Sequence, residues 1–139
     1  MLEFLQQNWL LIAGLALVGV VLFKGPILLR FYRIGRVTPA SAVNLINRQD
    51  AHVVDVREDR EWQQGHIPGA IHVPLGQLGN RMNELEAYKG GDKPLVVACQ
   101  SGNRSAMAAV RLRKAGFESV YNLEGGTAAW RQAGMPLES

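Results

Sequence analysis

The sequence predicts an α/β fold: a three-layer domain with a central, mostly parallel sheet, preceded by one transmembrane helix. Two observations carry the domain. Short β-branched runs at residues 52–56, 71–73, 95–98 and 120–123 alternate with amphipathic stretches, the pattern of parallel strands joined by helices. A chain of 139 residues, 47% hydrophobic and 19% charged, allows one ordinary domain and argues against long disorder. The helix rests on a third: residues 9–23, WLLIAGLALVGVVLF, contain no charged or strongly polar side chain.

That run is short for a span, since it rises roughly 22 Å against about 30 Å of hydrocarbon. Extension to Leu29, with Lys24 snorkelling, reaches about 31 Å. Trp9 suits the opposite interface, where aromatic rings concentrate. A cleavable signal peptide would need a basic leading segment, and residues 1–8 carry only Glu3. A buried core helix would be amphipathic, whereas this stretch is apolar on every face. The expectation is therefore a bilayer helix over residues 9–29 within an anchor segment 1–36, followed by a domain at 37–139.

The formal charge of +3 follows the same division. Residues 1–36 hold Lys24, Arg30, Arg33 and Arg36 against Glu3, whereas residues 37–139 hold 11 basic and 11 acidic residues. A neutral domain argues against nucleic-acid binding. Basic residues only after the span place the N-terminus outside and the domain in the cytoplasm of a single-pass membrane protein, in the inner or plasma membrane if the cell is bacterial. A single cysteine rules out an intramolecular disulfide framework and a multi-cysteine zinc site.

Within the domain, Thr38 and Pro39 predict the N-cap and first position of a helix over 38–47, with Ala42, Val43, Leu45 and Ile46 as its apolar stripe. The first strand follows at 52–56. The acidic run Glu58-Asp59-Arg60-Glu61 reads as a solvated first helical turn, and Gly65 with Pro68-Gly69 forces a turn before the strand at 71–73. Apolar residues at 75, 78, 82 and 85 predict a helix ended by Gly90-Gly91. Residues 95–98 are a fully apolar central strand that runs into Cys99. A helix over 105–115, a strand at 120–123 and a short helix around Ala128 and Trp130 complete the domain.

The chemistry concentrates in Cys99-Gln100-Ser101-Gly102-Asn103-Arg104-Ser105, between a buried strand and a helix. Sites in open α/β sheets lie at the carboxyl ends of strands. A loop entering a helix can turn successive N–H groups inward, and Gly102 supplies access to positive φ. Those amides, the helix dipole and Arg104 all favour thiolate at Cys99. A lone cysteine ending a strand is most often an inert buried residue. The Gly, the Arg and the helix start that follow point instead to a nucleophile. Ser101 and Ser105 could donate to sulfur or to an oxyanion, and Ser105 reads equally well as a plain N-cap. Gln100 and Asn103 carry little signal alone.

Together with Asp55-Val56-Arg57, Glu61-Trp62, the run Gly65-His66-Ile67-Pro68-Gly69-Ala70, Pro74, Gly125-Gly126 and Trp130, this loop makes residues 37–139 resemble a single-domain rhodanese, a sulfurtransferase module. The resemblance implies that Cys99 takes a sulfane sulfur from a donor such as thiosulfate or a persulfide, becomes a persulfide, and passes the sulfur to a thiol or other thiophilic acceptor. It implies that residues 100–105 bind the substrate, with Arg104 holding an anionic donor, and that no cofactor or metal is needed. Four residues separate Cys99 from Arg104; the related cysteine phosphatases have one more, which makes phosphatase chemistry the weaker reading. A cysteine protease needs a positioned imidazole, and His52, His66 and His72 read as structural or surface residues. Asp55 and Arg57 read as a structural pair, Trp62 and Trp130 as core or rim aromatics, and Arg111, Arg113 and Lys114 as a solvated face. The alternative from another class is a membrane-tethered interaction or sensor module that uses the fold without turnover.

Overall fold

Burial of Leu95–Ala98 organises the domain. A computed structural model describes residues 1–22 and 32–139 fully, and the side chains of residues 23–31 are not described. All four residues of this central strand are buried, and each fully buried aliphatic side chain contributes about 1.5–3 kcal/mol. The five strands are β1 (Gly35–Val37), β2 (His52–Asp55), β3 (Ile71–His72), β4 (Leu95–Ala98) and β5 (Val120–Leu123). They lie in the order β1-β5-β4-β2-β3. Every pairing is parallel, with Val54 opposite Val97 and Asp55 opposite Ala98.

Alternation along β4 divides the core into two layers. Leu95, Val97 and, one step beyond the strand, Cys99 face a cluster with Leu78, Leu112 and Phe117. Val96 and Ala98 face the other way, toward Ala42, Ile67 and Trp130. The helices α3 (Pro39–Gln49) and α7 (Gly126–Gln132) supply the second cluster, while α5 (Leu78–Arg81) and α6 (Asn103–Lys114) supply the first. The short α4 (Asp59–Gln63) follows β2. Thr38 caps α3 as expected, its hydroxyl accepting the Ser41 N–H at 3.2 Å.

Three expectations are revised within the domain. The strand β1 has no counterpart in the sequence reading; it pairs with β5, so the sheet begins at Gly35, before residue 37. The single helix expected over residues 75–87 is a 3-10 turn (Leu75–Gln77), α5 and a second 3-10 stretch (Met82–Tyr88). Gly76 and Gly79 weaken a continuous α-helix there. Gly102, not Ser105, occupies the N-cap of α6, at φ 102°.

The N-terminal part comprises α1 (Leu2–Gln7) and α2 (Trp9–Phe31). The expected transmembrane span over residues 9–29 is not borne out. Among the described residues no helix is long and apolar enough to cross a membrane. The uncharged residues 9–22 rise only about 21 Å, short of a hydrocarbon layer of about 30 Å. The remainder of the expected span, residues 23–29, lies outside the described side chains. Past α2, the chain joins the domain at the C-terminal end of α6. There Arg113 Nε donates to the Tyr32 carbonyl at 3.0 Å, Lys114 Nζ sits 5.4 Å from the Tyr32 ring centroid, and Ile34 enters the core.

Candidate active site

Where β4 ends and α6 begins, the backbone must reverse within a few residues, and Gly102 at φ 102° makes that turn. The reversal points the Gly102 N–H at Cys99 Sγ, 3.0 Å away. Ser105, on the first turn of α6, brings its hydroxyl to 3.3 Å from the same sulfur. Burial pushes the Cys99 thiol up, but the Ser105 hydroxyl and the N–H groups of Ser105, Ser101 and Gly102 outweigh it, and the net displacement is downward. The loop amides and the Ser105 hydroxyl thus shift Cys99, buried at the N-terminal end of a 12-residue helix, toward thiolate relative to an ordinary thiol.

The outer side of the loop is fixed by α7. The Thr127 N–H donates to the Cys99 carbonyl at 2.8 Å and the Ala128 N–H to the Gln100 carbonyl at 3.1 Å. With the carbonyls committed outward, the N–H groups are left to face the sulfur. Gly126, at φ +61°, lies against this backbone, and a β-carbon there would overlap the Cys99 carbonyl oxygen. The Thr127 hydroxyl also donates to Gln100 Oε1 at 3.1 Å.

The residues proposed for the site therefore separate. Cys99, Gly102 and Ser105 converge on the sulfur. Ser101 contributes its backbone N–H, Gln100 is tied to Thr127, and Asn103 is an exposed residue opening α6. Arg104 turns to Glu61 of α4, with Nη1 at 2.6 Å from Oε1 and Nη2 at 2.8 Å from Oε2. The Arg104 guanidinium is the main cause that holds the Glu61 carboxyl down at about 2, well below its ordinary 4.5. The acidic run was expected to be simply solvated, so this contact is new.

Asn122 is the residue the sequence reading missed. It lies buried in β5, accepts the Ser105 hydroxyl proton at 2.5 Å and donates to the Gly102 carbonyl at 3.1 Å. An asparagine inside a buried strand was the available signal, because a buried amide requires partners.

Asp55 and Arg57 form the expected structural pair. Arg57 Nη2 lies 2.8 Å from Asp55 Oδ2 and also donates to the Gly65 carbonyl at 2.8 Å, with the two side chains 3% and 1% exposed. The Trp62 ring stacks on His66 and His72, at centroid distances of 3.5 and 4.5 Å. The imidazoles of His66 and His72 also contact backbone carbonyls, of Trp62 and Arg57 respectively. The described residues contain no cluster of metal-ligating side chains. A surface hollow of about 340 Å³ beside α3, lined by Val37, Leu45, Arg48 and Tyr121 among others, includes no residue of the cysteine loop.

Residues 38–133 match the sequence profile of the rhodanese-like domain. The chain belongs to the rhodanese-like family. This rhodanese is 46% identical over 80 residues to the uncharacterized protein YqhL of Bacillus subtilis (strain 168), covering 58% of this chain and 60% of that one. It thus spans less than two thirds of that relative's length. It is 34% identical over 94 residues to the thiosulfate sulfurtransferase GlpE of Pseudoalteromonas translucida (strain TAC 125), covering 68% of this chain and 86% of that protein. Among solved structures, a rhodanese-related protein from Thermoplasma volcanium superposes with a TM-score of 0.65 at 32% identity, over 75% of this chain and 97% of the other. The rhodanese-like α/β fold with its central parallel sheet is thereby shown.

Proposed function

We propose that this rhodanese is a sulfurtransferase that moves a sulfane sulfur through a Cys99 persulfide to a thiophilic acceptor. The observation that carries the reading is the position of Cys99 Sγ, 3.0 Å from the Gly102 N–H and 3.3 Å from the Ser105 hydroxyl, within a loop whose carbonyls are committed to α7. The Cys99 thiolate attacks the outer sulfur of a donor such as thiosulfate or a persulfide. The donor's S–S bond breaks, its remainder departs with the electron pair as sulfite or a thiolate, and Cys99 retains the sulfur as a persulfide. The loop N–H groups stabilise that anion. An acceptor thiolate then attacks the terminal sulfur and restores Cys99. Relatives bearing the name sulfurtransferase support the class of reaction. Incubation with thiosulfate or glutathione persulfide, followed by mass spectrometry, adds one sulfur to the unmodified chain and none to Cys99→Ser. Absence of any adduct overturns the reading.

The tethered module without turnover draws on the complete burial of Cys99. Normal cellular function of a Cys99→Ala chain would favour it.

The N-terminal helix is proposed to sit in a lipid bilayer and tether the domain on the cytoplasmic side. Support comes from Leu10, Leu15, Leu17 and Leu22, between 65% and 69% exposed and uncovered by the domain, and from Arg30, Arg33 and Arg36 after the apolar run. Flotation of the full chain with phospholipid vesicles, lost when residues 1–31 are removed, tests it; a full chain that stays in the aqueous fraction refutes it.

A further inference from the structure

The two arginines that the motifs bring to the carboxyl end of the sheet are both engaged by carboxylates. Arg57 is spent on Asp55 and on the Gly65 carbonyl. Arg104, the residue expected to hold an anionic donor, is gripped end-on by Glu61 through both terminal nitrogens. Glu61 is itself fixed, since its Oε1 also accepts the Glu58 N–H at 3.2 Å. Its neighbour Trp62 is anchored by the stacks on His66 and His72. The basic residues at the far end of α6, Arg111, Arg113 and Lys114, begin seven positions beyond Arg104, about 10 Å along the helix and near one Debye length away.

The local charges decide which donor fits. Glu61 offsets the single positive charge of Arg104, so a dianionic donor finds no net cation at this pair. Thiosulfate carries two negative charges and needs an unshared cation. A small persulfide with an uncharged organic part, such as 2-hydroxyethyl persulfide, carries one, and that organic part leaves as a monoanionic thiolate.

We infer that Glu61 is a specificity-determining residue: by holding Arg104 bidentately it withholds the guanidinium from dianionic donors, so that Cys99 takes its sulfur from a small persulfide in preference to thiosulfate. The inference rests on the sulfur-transfer reading above. The step is RS–S⁻ plus Cys99–S⁻ giving RS⁻ plus Cys99–S–S⁻; one S–S bond forms as another breaks, and the departing thiolate carries away the electron pair. With thiosulfate the same exchange would release sulfite.

The test compares 2-hydroxyethyl persulfide, a monoanion, with thiosulfate as donors to the unmodified full chain and to Glu61→Gln. The unmodified chain has the higher kcat/KM with the persulfide. In Glu61→Gln the KM for thiosulfate falls and the ratio of the two kcat/KM values moves toward thiosulfate by about tenfold, the size of one charge-assisted hydrogen bond. A merely structural role for Glu61 would instead worsen both donors together. Glu61→Asp, which keeps the charge, produces no such gain. Preference of the unmodified chain for thiosulfate, or an unmoved ratio in Glu61→Gln, overturns the inference while leaving sulfur transfer intact. Should Glu61→Gln fail to fold by circular dichroism, the donor preference of the unmodified chain decides alone. Failure of both donors to load Cys99 overturns the sulfur-transfer reading and the inference with it.

Discussion

Ser105 Oγ donates to Asn122 Oδ1 at 2.5 Å while lying 3.3 Å from Cys99 Sγ. A hydroxyl carries one proton, so the two contacts compete. With Cys99 protonated, the thiol donates to Ser105 and Ser105 to Asn122. When Cys99 ionises, the hydroxyl stabilises the sulfur by turning away from Asn122. Ser105→Ala removes this donor and leaves only backbone N–H groups. Its Cys99 pKa is expected to lie above that of the unmodified chain, as read from ultraviolet thiolate absorbance against pH. An unchanged midpoint would mean that the amides alone set the ionisation.

The Glu61–Arg104 pair has a pH signature. The Glu61 carboxyl is depressed from 4.5 to about 2, chiefly by the Arg104 guanidinium. A depressed folded pKa gives stability that is fully present above the unfolded value and is lost as pH falls through the folded one. The unmodified chain should therefore melt above Glu61→Gln at neutral pH, and the gap should close between about pH 4.5 and about pH 2. Partial exposure limits such a pair to about 0.2–1 kcal/mol, a gap of a few degrees at most. A constant gap across that window would show that Glu61 acts through packing rather than charge.

Asp55→Ala strands the buried Arg57 guanidinium, of which only 3% is exposed. Loss of one partner of a buried pair costs about 3–5 kcal/mol. Urea denaturation should show a shift of that order. The double replacement Asp55→Ala with Arg57→Met should recover part of it, and a shift below about 1 kcal/mol would contradict the buried-pair account.

Gly126→Ala places a β-carbon onto the Cys99 and Gln100 backbone, at a φ of +61° that disfavours any side chain. The left-handed conformation costs roughly 1–2 kcal/mol. Displacement of the loop by even a fraction of an ångström should lower sulfur loading by about tenfold or more, since small misplacements in an active site are costly. Unaltered transfer rates in a folded Gly126→Ala chain would show that α7 does not hold the loop in shape.

Much of the domain was legible because local rules sufficed. Thr38 and Pro39 mark the start of α3, and the apolar run at residues 95–98 marks the central strand. The cysteine loop was legible because a strand, a glycine and a helix start fall within a few residues. β1 was not, since Gly-Arg-Val carries no periodic signal and becomes a strand only by pairing with Val120–Leu123. The Arg104–Glu61 contact joins positions 43 residues apart and depends on where α4 docks. Asn122 needed the register of β5 beside β4 to reach the loop. Hydropathy alone extended the N-terminal span beyond residue 22, where no side chain is described.

The hold of Arg113 on the Tyr32 carbonyl has a directional consequence. α6 carries the reactive loop at its first turn and the junction with the N-terminal helices at its last, separated by 12 residues or about 18 Å. The domain therefore joins the N-terminal helices at one end of α6 and carries the cysteine loop at the other. Whatever residues 1–31 grip, the cysteine loop lies a full helix length from the junction, so a molecule reaching that loop need not pass the junction.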